Sequence, residues 1–559
     1  MIKINSLSFL IAASALVALA PAAPAAPAAL DISAPRMLAR TKVLASDEFE
    51  GRAPGSPGEE KTVTYLAGEF KKMGLQPGNP DGTYIQNVPM VGIVSKTTAR
   101  FIAGGKDLGF QPINDFVCPS SRVSPHVEVK DTGIVFVGYG VEAPEFGWDD
   151  YKGVDVRGKT VVMLINDPPV VDPATGHLDP KIFGGGAMTY YGRWTYKYEM
   201  ATAKGAAACL IIHETGPASY PFAVVVGSRS RENFDLLTPD GNASRVAVEG
   251  WLTLDAAQKL FAAGGEDFAK LKKAAAGRDF RPVELRARVS FSVDNTIRNI
   301  ASRNVVAKLP GSDAAHQDEY MIYTAHWDHL GRDPKLTGDQ IFNGADDNAS
   351  GSAQLLEIAQ AYASLPASQR PRRSVLFLSV TGEEKGLIGS RYYAQNPLYP
   401  LTKTLANINI DGANYHGRTK DVIVIGRGAS TLDDLVDAVA QTQNRTVKPD
   451  ATPEKGRYYR SDHFEFAKVG VPALYTKRGV DLIGKPDGWG TKFEADFDLV
   501  DYHKVTDEVR PDWTFEGGAQ DAELLFEVGR RVANTDVWPE WRAGNEFKAR
   551  RDEMMAGKH

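Results

Sequence analysis

The chain has 559 residues, with 64 Lys+Arg against 70 Asp+Glu, 43% hydrophobic and 24% charged residues, and two cysteines. That apolar fraction supports packed cores and excludes wholesale disorder, and the length fits roughly two to four domains or one large domain carrying an insertion. A formal charge of −6 argues against a general electrostatic grip on nucleic acid or anionic lipid, and two cysteines cannot build a disulfide scaffold or a thiolate zinc finger.

Lys3 is the only charge before Asp31, and an apolar run from Leu7 to Ala20 is followed by PAAPAAPAAL. This pattern predicts a secretory signal peptide over residues 1–29, cut between Ala20 and Ala29. Pro21, Pro24 and Pro27 stop the run short of the roughly 20 apolar residues a membrane span needs, so no stable membrane anchor is expected after cleavage. The mature protein is expected to be exported, periplasmic or secreted.

Residues 30–117 read as the first part of the main domain. A polar, Gly/Pro-rich loop, LASDEFEGRAPGSPGEE, leads into a helix over 58–74, with Val63, Leu66, Phe70 and Met73 as its apolar stripe and Gly74 as its stop. Residues 118–287 change texture. Short strand-like runs (GIVFVGYGV, TVVMLIN, ACLIIH, FAVVVG) alternate with Gly, Pro and Asp, with one helix around Tyr196–Lys204. This predicts a smaller β-rich module inserted into the main domain. Export would permit a Cys118–Cys209 disulfide, but ACLIIH reads as a buried strand, so two separate buried thiols are an equal alternative.

The main domain resumes over 288–540, and 541–559 reads as a C-terminal tail. Strands over 321–326, 374–380, 405–411, 421–426 and 471–476 alternate with helical stretches marked by Leu355, Ala359 and Tyr362, and by Leu432, Val436 and Val439. Nearly continuous apolar strands between helices predict a three-layer α/β/α domain with a mostly parallel, mixed sheet. Chemistry in such sheets collects at the carboxyl ends of the strands.

Those ends are where the ionisable residues fall: His326 and Asp328 in AHWDHLG, Asp346 and Asp347 in NGADDNASG, Glu383 and Glu384 in TGEEKG, Asp411 in NINIDG, and His463 in RSDHFEF. Each alone has a bland reading as surface charge, turn chemistry or a helix-terminal charge. Together they do not, because converging carboxylates repel one another unless cations sit between them. Two histidines and three carboxylates suit zinc, and a set of that size suits two metal ions sharing one carboxylate.

These motifs, in this order, resemble the co-catalytic zinc aminopeptidase family, whose relatives include bacterial secreted leucine aminopeptidases and glutamate carboxypeptidase. LASDEFEGRAPGSPGEEKTVTYLAGEFKKMGL resembles the N-terminal segment of the family's bacterial members, and 118–287 is similar, more weakly, to the protease-associated domain often inserted there. The resemblance implies two Zn²⁺ per chain, with His326 and Asp411 on one, Glu384 and His463 on the other, and Asp347 bridging. It implies Glu383 as general base and Asp328 as the group that orients His326. His503 and Asp507 form an HxxxD pattern similar to one near the family's C-terminus, either a substrate-pocket or supporting pair or a packed structural one. His329 is expected to be supporting or structural, and Tyr458, Tyr459 and Arg460 an ordinary loop.

The expected activity is metal-assisted hydrolysis of peptide substrates, with no role for nucleic acid. An aminopeptidase is the leading reading. A carboxypeptidase or glutaminyl cyclase on the same fold, or a binding protein with a vestigial site, are the alternatives.

Overall fold

The computed structural model describes residues 30–557, so the signal segment expected at 1–29 lies outside the described residues. The main core is built on the strand Tyr320–His326, which has parallel neighbours on both sides: Ser374–Val380 on one, and Thr404–Asn409 followed by Ala473–Lys477 on the other. Every residue of Tyr320–His326 and Ser374–Val380 is buried, as a sheet covered on both faces requires. Side chains alternate between the two layers. Met321, Tyr323 and Ala325 join Val375 and Phe377 in one core, and Tyr320 and Ile322 join Leu376 and Leu378 in the other.

The first face is covered by the helices Pro57–Lys72, Gly351–Ala363, Leu432–Thr442 and Glu516–Asn534, and the second by Ile388–Gln395 and His463–Lys468. The helix expected over 58–74 begins where Ser56 accepts from the Glu59 N–H and Pro57 takes the first turn. It buries Val63, Leu66 and Phe70, and Gly74 follows it at φ 78°. Residues read as a tail are packed: Trp541 and Phe547 are buried against Tyr458, Tyr459 and Phe464, and a helix covers Lys548–Ala556.

Two long strands, Ile85–Ala103 and Val283–Leu309, pair antiparallel from Ala287 opposite Ala103 to Val305 opposite Ile85. Their near ends join the main sheet. Their far ends lead through His126–Phe136 to the parallel strands Thr160–Leu164, Ala208–His213 and Val248–Thr253. Among the described residues this makes one 16-stranded sheet, with a main core toward one end and a second core toward the other. The second core takes Phe101, Val289 and Phe291 from the two long strands, so both cores are built on those strands rather than tethered by a linker.

Several local expectations need correction. FAVVVG is not a strand but part of the helix Phe222–Arg229, which buries only Val225. Of the two readings of the cysteines, that of separate buried thiols holds: Cys118 and Cys209 are both free and buried. The third strand ends at Asn409, two residues before Asp411. No helix among the described residues is long and apolar enough to cross a membrane.

Candidate metal centre

His326 ends the central strand and is 1% exposed. Its Nδ1 lies 3.2 Å from the Asp328 carbonyl oxygen, which turns Nε2 toward the cleft. There Nε2 sits 3.3 Å from Asp347 Oδ1 and 3.7 Å from Asp411 Oδ1. Glu383 closes the group, because ligand atoms of His326, Glu383 and Asp411 fall within 4.8 Å of one another.

A second group surrounds Glu384. Its Oε1 is 2.6 Å from His329 Nδ1, and its Oε2 is 3.0 Å from His503 Nε2. The same His503 nitrogen lies 3.3 Å from Asp347 Oδ2. Asp347 therefore faces His326 with one oxygen and His503 with the other, which is the placement a shared carboxylate needs. Its neighbour Asp346 turns away and pairs with Arg478 at 2.9 Å.

The turn that presents Asp347 is held from below. Asp507 accepts the N–H of Asp346 at 2.9 Å and of Asp347 at 3.1 Å, one on each carboxylate oxygen. Gly344 starts this turn at φ 54°, and a Cβ there would lie 2.3 Å from the Asp347 carbonyl oxygen. The HxxxD segment thus does two jobs at once. His503 enters the cleft and Asp507 fixes the turn opposite it.

The imidazole assigned to the Glu384 side by its motif, His463, is not there. It starts the helix His463–Lys468, packs between the rings of Tyr458 and Tyr475 at 4.6 and 4.9 Å, and leaves both ring nitrogens without a hydrogen-bond partner. His503 occupies the place expected for it. Strand-end reasoning could not find His503, which lies in the loop after the helix Trp489–Val500. The one available signal was its HxxxD spacing. Asp328 also differs from expectation. Its carboxylate is 3.9 Å from His326 Nδ1, too far for a hydrogen bond, and accepts instead from the Glu383 N–H at 3.0 Å. It orients the segment carrying the expected base, while its backbone carbonyl orients His326. Tyr458 and Tyr459 are buried aromatic packing, and the Tyr459 hydroxyl donates to Glu546 at 2.7 Å.

Electrostatics at the site follow from crowding acids under low exposure. Burial opposes charge on His326, yet Glu383, Asp347 and Asp411 outweigh it and raise the imidazole well above its ordinary range. Burial likewise opposes charge on His503, but Glu384 and Asp347 lift it to about 10. Glu383 has the opposite balance: burial, with Glu384 and Asp411 beside it, pushes its carboxyl well up. Burial drives His463 down to about 3, outweighing the smaller opposing pull of Asp411.

This donor set fits zinc. It offers imidazole nitrogens and carboxylate oxygens in two adjoining groups, and His326 Nε2 and His329 Nε2 are buried with no hydrogen-bond partner of their own. A proton and a metal ion compete for such nitrogens, so the same acids that raise an imidazole's proton affinity favour a cation.

A largely parallel α/β sheet with imidazoles and carboxylates gathered at the carboxyl ends of its strands defines a metal-site α/β protein. Residues 304–524 match the model of peptidase family M28. Over 126 residues it is 37% identical to aminopeptidase NAALADL1 of Mus musculus, a match covering 22% of this chain and 15% of that protein. Over 152 residues it is 31% identical to a probable zinc metalloprotease of Pyricularia oryzae, covering 24% of this chain and 28% of that one. The match thus spans 15% of the one relative's length and 28% of the other's. Among solved structures, the aminopeptidase from Aneurinibacillus sp. strain AM-1 aligns with 91% of this chain and 96% of its own, at 19% identity and TM-score 0.44. The zinc aminopeptidase BSAP from Bacillus subtilis aligns with 92% and 98%, at 16% identity and TM-score 0.40.

Proposed function

We propose that this chain is an exported, zinc-dependent metallopeptidase that hydrolyses peptide bonds, with aminopeptidase action as the leading reading. The observation that carries it is Asp347 facing both His326 and His503, with Glu383, Glu384 and Asp411 in the same cleft. In this reading two zinc ions are held per chain, one by His326 and Asp411, one by Glu384 and His503, with Asp347 between them. Residues 1–29 direct export, and the second core, in the manner of a protease-associated domain, shapes access to the cleft.

Bound zinc would supply Lewis-acid polarisation of the scissile carbonyl and make water easier to deprotonate. The chain's own residues do the rest. Glu383 sits within reach of His326 and Asp411, and its N–H is fixed by Asp328. Its carboxylate takes the proton from the attacking water and returns it to the leaving amine. Glu383 is held in a segment clamped at its backbone, so the base is oriented before substrate arrives.

One observation favours a carboxypeptidase instead. Arg193 and Arg460 lie in each other's field beside Tyr220, with Arg229 also near and stacked over Trp194 at 4.2 Å, and neither Arg193 Nε nor Arg229 Nη2, both buried atoms, has a hydrogen-bond partner. Arg460 also lies near Tyr502, which stacks on His503 at 3.9 Å. Guanidinium groups without acids suit a substrate carboxylate. Hydrolysis of aminoacyl-nitroanilides beside N-blocked peptides with free C-termini separates the two. Cleavage of free N-termini alone establishes aminopeptidase action. Cleavage of blocked peptides that is lost on Arg193→Ala and Arg460→Ala establishes the alternative.

A further inference from the structure

The loop EGR, which precedes the first long helix, has no part in the function described so far. Its three residues are consecutively left-handed: Glu50 at φ 50°, Gly51 at φ 65° and Arg52 at φ 52°. Two of these are not glycine, so the turn is held by its surroundings. Gly51 is enclosed by the hairpin formed by Gly331–Arg332 and Ile341–Phe342, where a Cβ would lie 2.5 Å from two carbonyl oxygens. The result is to drive the Arg52 side chain inward, where it is 1% exposed.

Arg52 meets no carboxylate there. Its Nε donates to the Trp327 carbonyl at 2.9 Å, and Nη1 donates to Leu44 and Asn343 at 2.6 Å each. Nη2 donates to Gly344 at 2.9 Å, while its own carbonyl accepts from the His329 N–H at 3.3 Å. Trp327 stands between His326 and Asp328, and Asn343–Gly344 open the turn that ends in Asp347. One planar fork therefore ties the backbone behind the His326 imidazole to the backbone behind Asp347. Lysine cannot do this, because its donors radiate from a single point.

We propose that Arg52 is a positioning residue of the metal centre, bracing the His326–His329 segment against the Gly344–Asp347 turn so that imidazole and shared carboxylate meet at one metal ion. It rests on the reading of the cleft as a zinc site. Arg52 touches neither substrate nor metal and acts through the two backbones it joins.

The test compares full-length wild type with Arg52→Lys and Arg52→Ala. Zinc affinity is measured by competition with a chromophoric chelator, the visible spectrum of the cobalt-loaded protein is recorded, and kcat is separated from KM. Arg52→Lys is expected to weaken zinc binding about 10- to 100-fold, as loss of supporting groups around metal ligands does, with kcat falling and KM little changed. The cobalt spectrum should shift, and added guanidinium ion should restore affinity to Arg52→Ala. Wild type that binds no zinc would remove the metal reading itself. Wild type that binds zinc beside folded variants with unchanged affinity and spectrum would overturn the positioning role alone. Variants that fail to fold, with no rescue by guanidinium, would make Arg52 a general core residue and overturn it as well.

Discussion

Replacing the two histidines His503 and His463 one at a time separates the site as built from the site as its motifs suggest. His503 Nε2 lies 3.0 Å from Glu384 and 3.3 Å from Asp347, so His503→Ala removes a nitrogen from the shared side of the centre. Structural zinc sites of four ligands bind with roughly 10–16 kcal/mol, or about 3 kcal/mol per ligand, which is on the order of a 100-fold rise in Kd. The His463 ring packs between the rings of Tyr458 and Tyr475, at 4.6 and 4.9 Å. His463→Leu changes packing alone, at about 1 kcal/mol of stability, with zinc affinity held to within about threefold. The assay is chelator competition for zinc on each folded variant, beside its thermal midpoint. Loss of zinc from His463→Leu with retention by His503→Ala would refute the assignment.

Three further outcomes follow from the packing and charge of the chain. Glu357 is fully buried and accepts from Arg36 at 2.7 Å and Arg40 at 2.5 Å, so Glu357→Ala leaves the buried Arg40 guanidinium with Glu69 alone, at 3.2 Å. It should lower the unfolding free energy by about 3 kcal/mol in denaturant titration, and a change below about 1 kcal/mol would count against the pair. Burial among Tyr415, Trp489 and Phe493 lowers His416 from 6.5 to about 4. Its stabilising contribution is full above pH 6.5 and lost as pH falls toward 4, because the unfolded chain takes the proton first. After discounting for partial exposure this is up to about 2 kcal/mol, and His416→Leu should flatten stability over that window; an unchanged slope would contradict it. Finally, a Cβ on Gly529 would lie 1.8 Å from the Tyr323 hydroxyl, which itself donates to the Leu525 carbonyl at 2.8 Å. Gly529→Ala should gain about 1 kcal/mol of helix propensity but lose more to the clash, for a net drop of about 1–3 kcal/mol in a thermal melt.

The strands of the main sheet were readable because they are buried on both faces, and a fully apolar run such as SVLFLSV has few other interpretations. Four of the five motifs led to the cleft, three because a strand's end fixes where its next side chains go and the fourth through the turn that Asp507 holds. His326, Asp347, Glu384 and Asp411 are met there, with Glu383 alongside. The fifth motif misled because His463 starts a helix, and its ring turns into aromatic packing that no spacing reveals. His503 comes from a loop whose position depends on the helix Trp489–Val500 packing far along the chain, so only its partner Asp507 hinted at it. The part played by Arg52 was equally hidden, because four carbonyl acceptors leave no trace in side-chain pattern. The two long strands shared by both cores blurred the edges of the inserted unit for a related reason. Both run on as strand from one core into the other, the burial pattern changing phase at the exposed pair Arg298–Asn299 with no linker between.

The central claim is that Glu383 moves the proton in a zinc-dependent hydrolysis. It is tested most directly by kcat for wild type and Glu383→Gln on the same peptide substrate at matched, measured zinc occupancy. General-base catalysis is worth about 10²- to 10⁴-fold, so the variant should keep its zinc and lose kcat by at least the lower figure. A variant that holds zinc and turns over at the wild-type rate would contradict the account.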